Sequence, residues 1–369
     1  MYKQQCKVLS TVLIAVILMS LLSLTGCRNS LPGQQEYREV TDCIGRTVAV
    51  PKEIERIAAL DPFAGQAVIM FGHGEKMKAT VGGVKRDLLL QEMCPALKDA
   101  AIVKESGTVN AEALLSLQVD LLLLKGDVIL NIPEKEKIEK LDIPYLVVDY
   151  NSMESQIAAF RVIGEALGEE AEAEKVNAYY RSAIERIDAI TKEIPQEKNP
   201  RIYHAVNQAV RTDSKGTLGS DWISYTRAEN VALGKDLTSD GKNYYTTLEQ
   251  IFVWDPDLII CNESGVSNYM LTDKKWAGLR AVREGKVYQM PIGVSRWGHE
   301  GGLETPLALF WLAKLIYPEE FKDLDLKVEM SFFYGTFFDY TPTSEVIDKI
   351  LAGEGIRSAS TASTESLNN

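Results

Sequence analysis

The stretch "NAEALLSLQVDLLLL", residues 110–124, is echoed at an offset of 137 residues by "TLEQIFVWDPDLIIC", residues 247–261. Glu112 falls on Glu249, Leu115 on Phe252, Leu117 on Trp254, Asp120 on Asp257 and Leu121 on Leu258. Each copy reads as a short helix opened by an acidic residue, a turn, and a strand of four apolar residues. A supersecondary unit repeated that far apart implies two similar α/β lobes.

The flanking sequence supports this. Short apolar runs alternate with helical stretches: "RIAAL" (56–60), "KATVGG" (78–83), "VDLLLLK" (119–125) and "IPYLVVDY" (143–150). The alternation resumes with "RIYHAV" (201–206), "PDLIICN" (256–262) and "GKVYQMP" (285–291). Strands alternating with helices make a mostly parallel sheet. "YREVTDCIGRTVAVP" (37–51) reads as a hairpin turning at Gly45. Between the two sets of strands, residues 152–194 hold no proline and carry apolar residues at helical spacing. They predict one long helix, kinked near Gly164 or Gly168 and ending before Pro195.

The chain has 369 residues, 46% apolar and 25% charged, the balance of a soluble globular protein with two domains' worth of core. Its formal charge of −12 argues against nucleic acid as a partner. Residues 1–27 read as a secretory leader: Lys3 and Lys7, an apolar run from Val8 to Leu24, then "LTGC" ending at Cys27. A small residue before that cysteine is the pattern of a lipobox, so Cys27 is the expected lipidation site. The expected location is extracytoplasmic, anchored to the cell membrane; an uncleaved membrane span is the alternative. Loss of Lys3 and Lys7 takes the balance to −14. Cys43, Cys94 and Cys261 remain: an odd number, matching no zinc spacing and compatible at most with a Cys43–Cys94 bridge.

With the hairpin "DCIGRTVAVPKEIERI", the two "E…L…D-L" units, "WAGLRAVREGKVYQMP" and "ETPLALFWLAKLIYPEEF" in this order, the chain resembles the helical-backbone (class III) substrate-binding proteins of ABC transporters. These take up iron–siderophores, haem, cobalamin and, in some branches, molybdate or tungstate. The resemblance runs from about residue 38 to 352. It implies an α/β fold: two Rossmann-like lobes with mostly parallel sheets, joined by one long rigid helix, with the ligand cleft between them. The organisation expected is leader 1–27, tether 28–37, N-terminal lobe 38–150, connecting helix 151–194, C-terminal lobe 195–353 and disordered tail 354–369. The implied partners are an ABC permease and its ATPase, and the implied form is a monomer with no resident cofactor. By position, Glu112 and Glu249 look like the glutamates that engage permease arginines, an acidic pair suited to steering a basic partner.

Open α/β sheets bind ligands beyond the carboxyl ends of their strands. The loops there supply the candidate ligand contacts Phe63, Arg86, Lys125, Trp222, Glu263, Arg296 and Trp297, with Tyr203, His204 and Asn262 close by. Arg86, Lys125 and Arg296 suit an anionic cargo, and the three aromatic residues suit the walls around a chelate's organic part. Arg296 and Trp297 lie in "PIGVSRWGHEGGLETP" (291–306), where "HE" at 299–300 lacks the second histidine and the helix of a zinc-protease motif. The only other histidines are His73 and His204, and no G-x-S-x-G, P-loop or G-x-G-x-x-G is present, so an enzyme is not expected. A ferric siderophore is the first expectation for the cargo, as a small anionic metal complex. Molybdate or tungstate, cobalamin and haem follow, and bare metal binding or a sensor role on the same fold lie further off.

Overall fold

A computed structural model describes residues 35–355; the leader with Cys27, tether residues 28–34 and the tail from 356 lie outside the described residues. The opening hairpin pairs β1 (Tyr37–Thr41) with β2 (Thr47–Pro51) through a turn in which Gly45 has φ +82°, a conformation that favours glycine. The N-terminal lobe follows as β3 (Ile57–Ala59), α1 (Pro62–Met70), β4 (Met77–Val81), β5 (Ala101–Glu105), β6 (Thr108–Val109), α2 (Ala111–Ser116), β7 (Leu121–Leu124) and β8 (Tyr145–Val147). Its sheet runs β6-β5-β4-β3-β7-β8, parallel except for β6.

The connecting segment is two helices, α3 (Met153–Leu167) and α4 (Glu170–Thr191), rather than one rod. The break falls at one of the two expected glycines: Gly168 caps α3 in the left-handed conformation, with φ +79°. Beyond it the chain folds back, so that the Phe160 and Tyr180 rings lie 5.4 Å apart. A side chain at Gly164 would collide with the Ala173 methyl, which keeps the two helices close. The 22-residue α4 spans about 33 Å and is the strut of the molecule. Its buried stripe, Ala173, Val176, Tyr180, Ala183 and Ile187, recurs every three or four residues.

The C-terminal lobe contains β9 (Arg201–Ala205), β10 (Arg211–Thr212), α5 (Leu218–Ser224), β11 (Glu229–Asn230), β12 (Thr238–Ser239), β13 (Tyr244–Tyr245), α6 (Leu248–Trp254), β14 (Leu258–Cys261) and β15 (Val287–Gln289). Its parallel sheet runs β11-β9-β14-β15, and β10-β13-β12 form a small antiparallel sheet that apolar patterning does not reveal. Helices α7 (Thr305–Ile316), α8 (Leu326–Phe338) and α9 (Ser344–Leu351) return to the body, burying Phe333, Tyr334 and Phe337.

The echoed units agree down to their hydrogen bonds. Asn110 and Thr247 cap α2 and α6, accepting from the backbone N–H three residues on. Gln118 (φ 51°) and Asp255 (φ 42°) occupy the same left-handed turn position. Asp120 then accepts from the Arg56 N–H at 2.8 Å, and Asp257 accepts from the Arg201 N–H at 2.8 Å. Each aspartate pins the first strand of its lobe beside the strand it precedes, β3 beside β7 and β9 beside β14, so the acidic residue sets strand register.

Both sheets turn their inner faces onto one continuous apolar core, which includes Ile57, Phe160, Tyr180, Ile202, Ile260 and Phe333. Their outer faces bury separate clusters. A core continuous across the seam leaves little freedom for a hinge. Among the described residues no helix is long and apolar enough to cross a membrane, and Cys43, Cys94 and Cys261 are free thiols.

Candidate functional site

Successive strand residues point to opposite faces, so each inward row can be followed to its end. On β3, Ile57 and Ala59 enter the shared core while Ala58 faces outward; the next inward position is Asp61. On β7, Leu121 and Leu123 lead to Lys125. On β9, Ile202 leads to His204, and on β14, Leu258 and Ile260 lead to Asn262. Four central strands thus end their inward rows in a polar residue, all at the carboxyl edge where the lobes meet.

On the N-terminal side, burial pushes the Asp61 carboxyl above the ordinary aspartate range. The Lys125 ammonium sits 4.4 Å over the Tyr150 ring and pairs with Glu300 of the opposite lobe. Burial works against its charge, but Glu300 and Asp61 outweigh burial and hold its pKa above the ordinary lysine value. Lys242 reaches back to Asp127 at 3.3 Å, while Gln66 and Gln156 donate to the Gly301 and Gly302 carbonyls. The two lobes are clasped along this seam.

The C-terminal side holds a cavity of about 190 Å³, lined among others by His204, Arg211, Asp213, Lys242, Asn262 and His299. His204 Nδ1 lies 2.8 Å from Asp213, whose carboxylate also accepts from Asn230 (3.1 Å) and Thr217 (3.2 Å). Asn262 accepts from the Asn207 N–H at 2.7 Å. That leaves His204 Nε2 and Asn262 Nδ2 buried without a hydrogen-bond partner among the described residues. Buried polar atoms in native proteins are nearly always paired, so two such atoms on one cavity wall point to a ligand. Arg211 is partly buried there and pairs with no carboxylate among the described residues. Burial, with Arg296 alongside, holds the His299 pKa well below the ordinary histidine value, so this ring is neutral.

The structure redistributes the residues expected from sequence. Phe63, Trp222 and Trp297 are fully buried, so none of them forms a wall of the cavity. Phe63 packs on Tyr150 and Phe160, with centroids 4.5 and 4.7 Å away, because α1 is buried along almost its whole length. Trp222 donates its indole N–H to the Gly298 carbonyl at 2.9 Å and so fixes the loop above the cavity. Trp297 belongs to the shared core. Arg296 is already engaged by protein groups: Glu263, Asn207 at 2.6 Å and His299 at 3.3 Å. It organises the loop, with Glu263 as its counter-ion, and neither lines the cavity. Arg86 is exposed and lies away from the cavity. Lys125 does reach the seam. Glu112 and Glu249 are exposed at equivalent places on α2 and α6.

The buried Glu304, immediately ahead of α7, holds the 293–296 loop from below. It accepts from the Val294 and Ser295 N–H groups at 3.1 and 2.8 Å, and from the Ser295 and Tyr334 hydroxyls. Arg211 and Lys242 escaped the sequence reading because they sit in and beside the short antiparallel sheet. Strand parity was the available signal for His204 and Asn262: each is the polar residue that ends an inward apolar row.

A family model described as "Periplasmic binding protein" matches residues 54–292. The molybdate-binding protein MolA of Haemophilus influenzae is 23% identical over 329 residues, covering 82% of this chain and 91% of the relative. Its molybdate-bound structure has a TM-score of 0.74 at 20% identity, covering 83% of this chain and 99% of that one. YvrC of Bacillus subtilis, an uncharacterized ABC transporter substrate-binding lipoprotein, is 24% identical over 328 residues, with coverages of 84% and 98%. A periplasmic solute binding protein from Veillonella parvula has a TM-score of 0.73 at 26% identity, with coverages of 85% and 97%.

Proposed function

This chain belongs to the periplasmic binding protein family, and we propose that the solute it captures for an ABC importer is a small tetrahedral oxyanion of the molybdate and tungstate type. It is an extracytoplasmic solute-binding protein rather than an enzyme. The size and lining of the cavity support this cargo. The cavity measures about 190 Å³. Pockets that enclose drug-sized organic ligands measure roughly 300–1,000 Å³. A four-oxygen anion fits; a ferric siderophore, haem or corrinoid fits poorly, and the aromatic walls expected for them are core residues.

The lining suits an anion. Arg211 supplies positive charge, joined by Lys242, which is shared with Asp127, and Asn262 Nδ2 offers a donor with no competing acceptor among the described residues. Asp213 and Glu300 also line the space, but each is committed, to His204 and to Lys125 respectively. MolA supports the same cargo class by its stated ligand. Glu112 and Glu249, exposed and equivalent in the two lobes, are proposed as the prongs that register the protein on a basic permease surface. Lipidation at Cys27 and a monomeric state complete the proposal, and YvrC's description as a lipoprotein supports the anchor.

A thermal-shift screen of molybdate, tungstate, ferric siderophores, cobalamin and haemin tests the cargo. Only the oxyanions should raise the melting point, by the equivalent of about 2.7 kcal/mol at one hundred times Kd. A shift with a siderophore and none with either oxyanion would overturn the assignment.

A further inference from the structure

Resting on the oxyanion reading, we infer that His204 binds the anion as an imidazolium, so that each anion captured brings one proton into the site. The hydrogen bonding fixes the state of each nitrogen. Asp213 already accepts from Asn230 and Thr217, so its third contact, with His204 Nδ1, is one more N–H donated to a carboxylate. The Nδ1 position therefore keeps its hydrogen whatever else happens. In a neutral ring Nε2 is then a bare lone pair, buried and unpartnered, on the cavity wall. A lone pair repels an oxyanion oxygen, whereas an N–H there donates a charge-assisted hydrogen bond. Favourable contact requires a hydrogen at both nitrogens.

The surroundings permit the second proton. The groups facing His204 are Asp213 on one side and, around the cavity, Arg211, Lys242, Tyr244, His299 and Glu300. Asp213 offsets the imidazolium directly. The cations Arg211 and Lys242 oppose it in the empty cavity and are neutralised when a dianion arrives. His299 does not compete for the proton, because the Arg296 guanidinium occupies its Nε2 and burial keeps the ring neutral. The proton comes from solvent and returns there on release. The anion and a proton are thus bound together, and His204 favours a cargo that brings no hydrogen of its own.

The test is calorimetric titration of the full chain, isolated in detergent, with molybdate and with tungstate between pH 6 and 9, in buffers of different ionisation heat. With both anions kept dilute enough to remain monomeric, they stay deprotonated over this range, so any slope belongs to the protein. The association constant should fall towards tenfold per pH unit once His204 is neutral in the empty protein, with uptake approaching one proton per anion. His204→Gln, which keeps a side-chain N–H donor, should bind with no proton uptake and a flat pH profile. His73→Gln, remote from the site, should keep the full slope. Circular dichroism and melting curves verify that the variants fold. Tight binding with a flat wild-type profile would overturn the inference and leave the oxyanion reading standing. Affinity that rises with pH would overturn it too, because the Nε2 lone pair would then be the contacting form. Failure of both anions to bind at any pH would remove the oxyanion reading itself.

Discussion

Two arginines compete for the role of anion clamp, and their partners predict opposite behaviour. Arg211→Ala removes a guanidinium that faces the cavity with no carboxylate partner among the described residues, so the unliganded protein loses little. The anion loses at least one charge-assisted hydrogen bond, worth about 2 kcal/mol, which raises Kd roughly 30-fold. Arg296→Ala instead strips Glu263, Asn207 and His299 of a shared donor. The Arg296 and Glu263 side chains are 17% and 32% exposed, so solvent screens part of the loss. A destabilisation of about 1–2 kcal/mol follows, a drop of about 1.5–3 °C in melting temperature for a chain of this size. Isothermal titration with molybdate and urea unfolding of both variants give the two readings. Arg211→Ala should weaken binding at unchanged unfolding midpoint, and Arg296→Ala should lower the midpoint by more than it weakens binding. If Arg296→Ala abolished binding at full stability while Arg211→Ala bound normally, the cavity would be the wrong site.

Three other perturbations follow from the geometry. Gly298 has φ +65°, and a Cβ there would lie 2.6 Å from the Trp222 ring; Gly298→Ala should cost about 2–4 kcal/mol in urea unfolding and displace the neighbouring His299, while a neutral result would mean the loop repacks freely. For Asp127, burial opposes the charge, but Lys104 and Lys242 prevail and its pKa is lowered. The folded chain therefore binds fewer protons than the unfolded one at this group. Its contribution is present above the unfolded pKa near 3.9 and is lost as pH falls through the folded value. Asp127→Asn should flatten the acid limb of the stability-against-pH curve, and superimposable curves would count against the clasp. Reversing charge at both lobes, Glu112→Arg with Glu249→Arg, should abolish cellular uptake while molybdate affinity in vitro stays within about twofold; uptake at the normal rate would remove the docking assignment.

The fold was legible because it rests on period and repetition. The 137-residue echo carried not only helix and strand but the two aspartates that set register and the two left-handed turn positions, Gln118 and Asp255. Gly168 marked the break in the connecting segment, although spacing alone did not show that α3 and α4 fold back on each other. The site was less legible because charge and aromaticity near a strand end do not reveal which partners a side chain meets. Arg296 is held by Glu263, Trp297 is buried by the shared core, and Arg211 pairs with no carboxylate among the described residues; those facts are tertiary. What local sequence does encode is parity. Counting in twos along "RIYHAV" and "DLIIC" puts His204 and Asn262 at the inward ends of their strands, and no composition argument would have singled them out.

The most direct measurement is anomalous difference density from crystals of the protein soaked with tungstate. A single strong peak inside the cavity is expected, within hydrogen-bonding reach, through the anion's oxygens, of His204 Nε2, Asn262 Nδ2 and the Arg211 guanidinium. A peak elsewhere between the lobes, or none at a tungstate concentration that shifts the melting point, would contradict the assignment of this cavity.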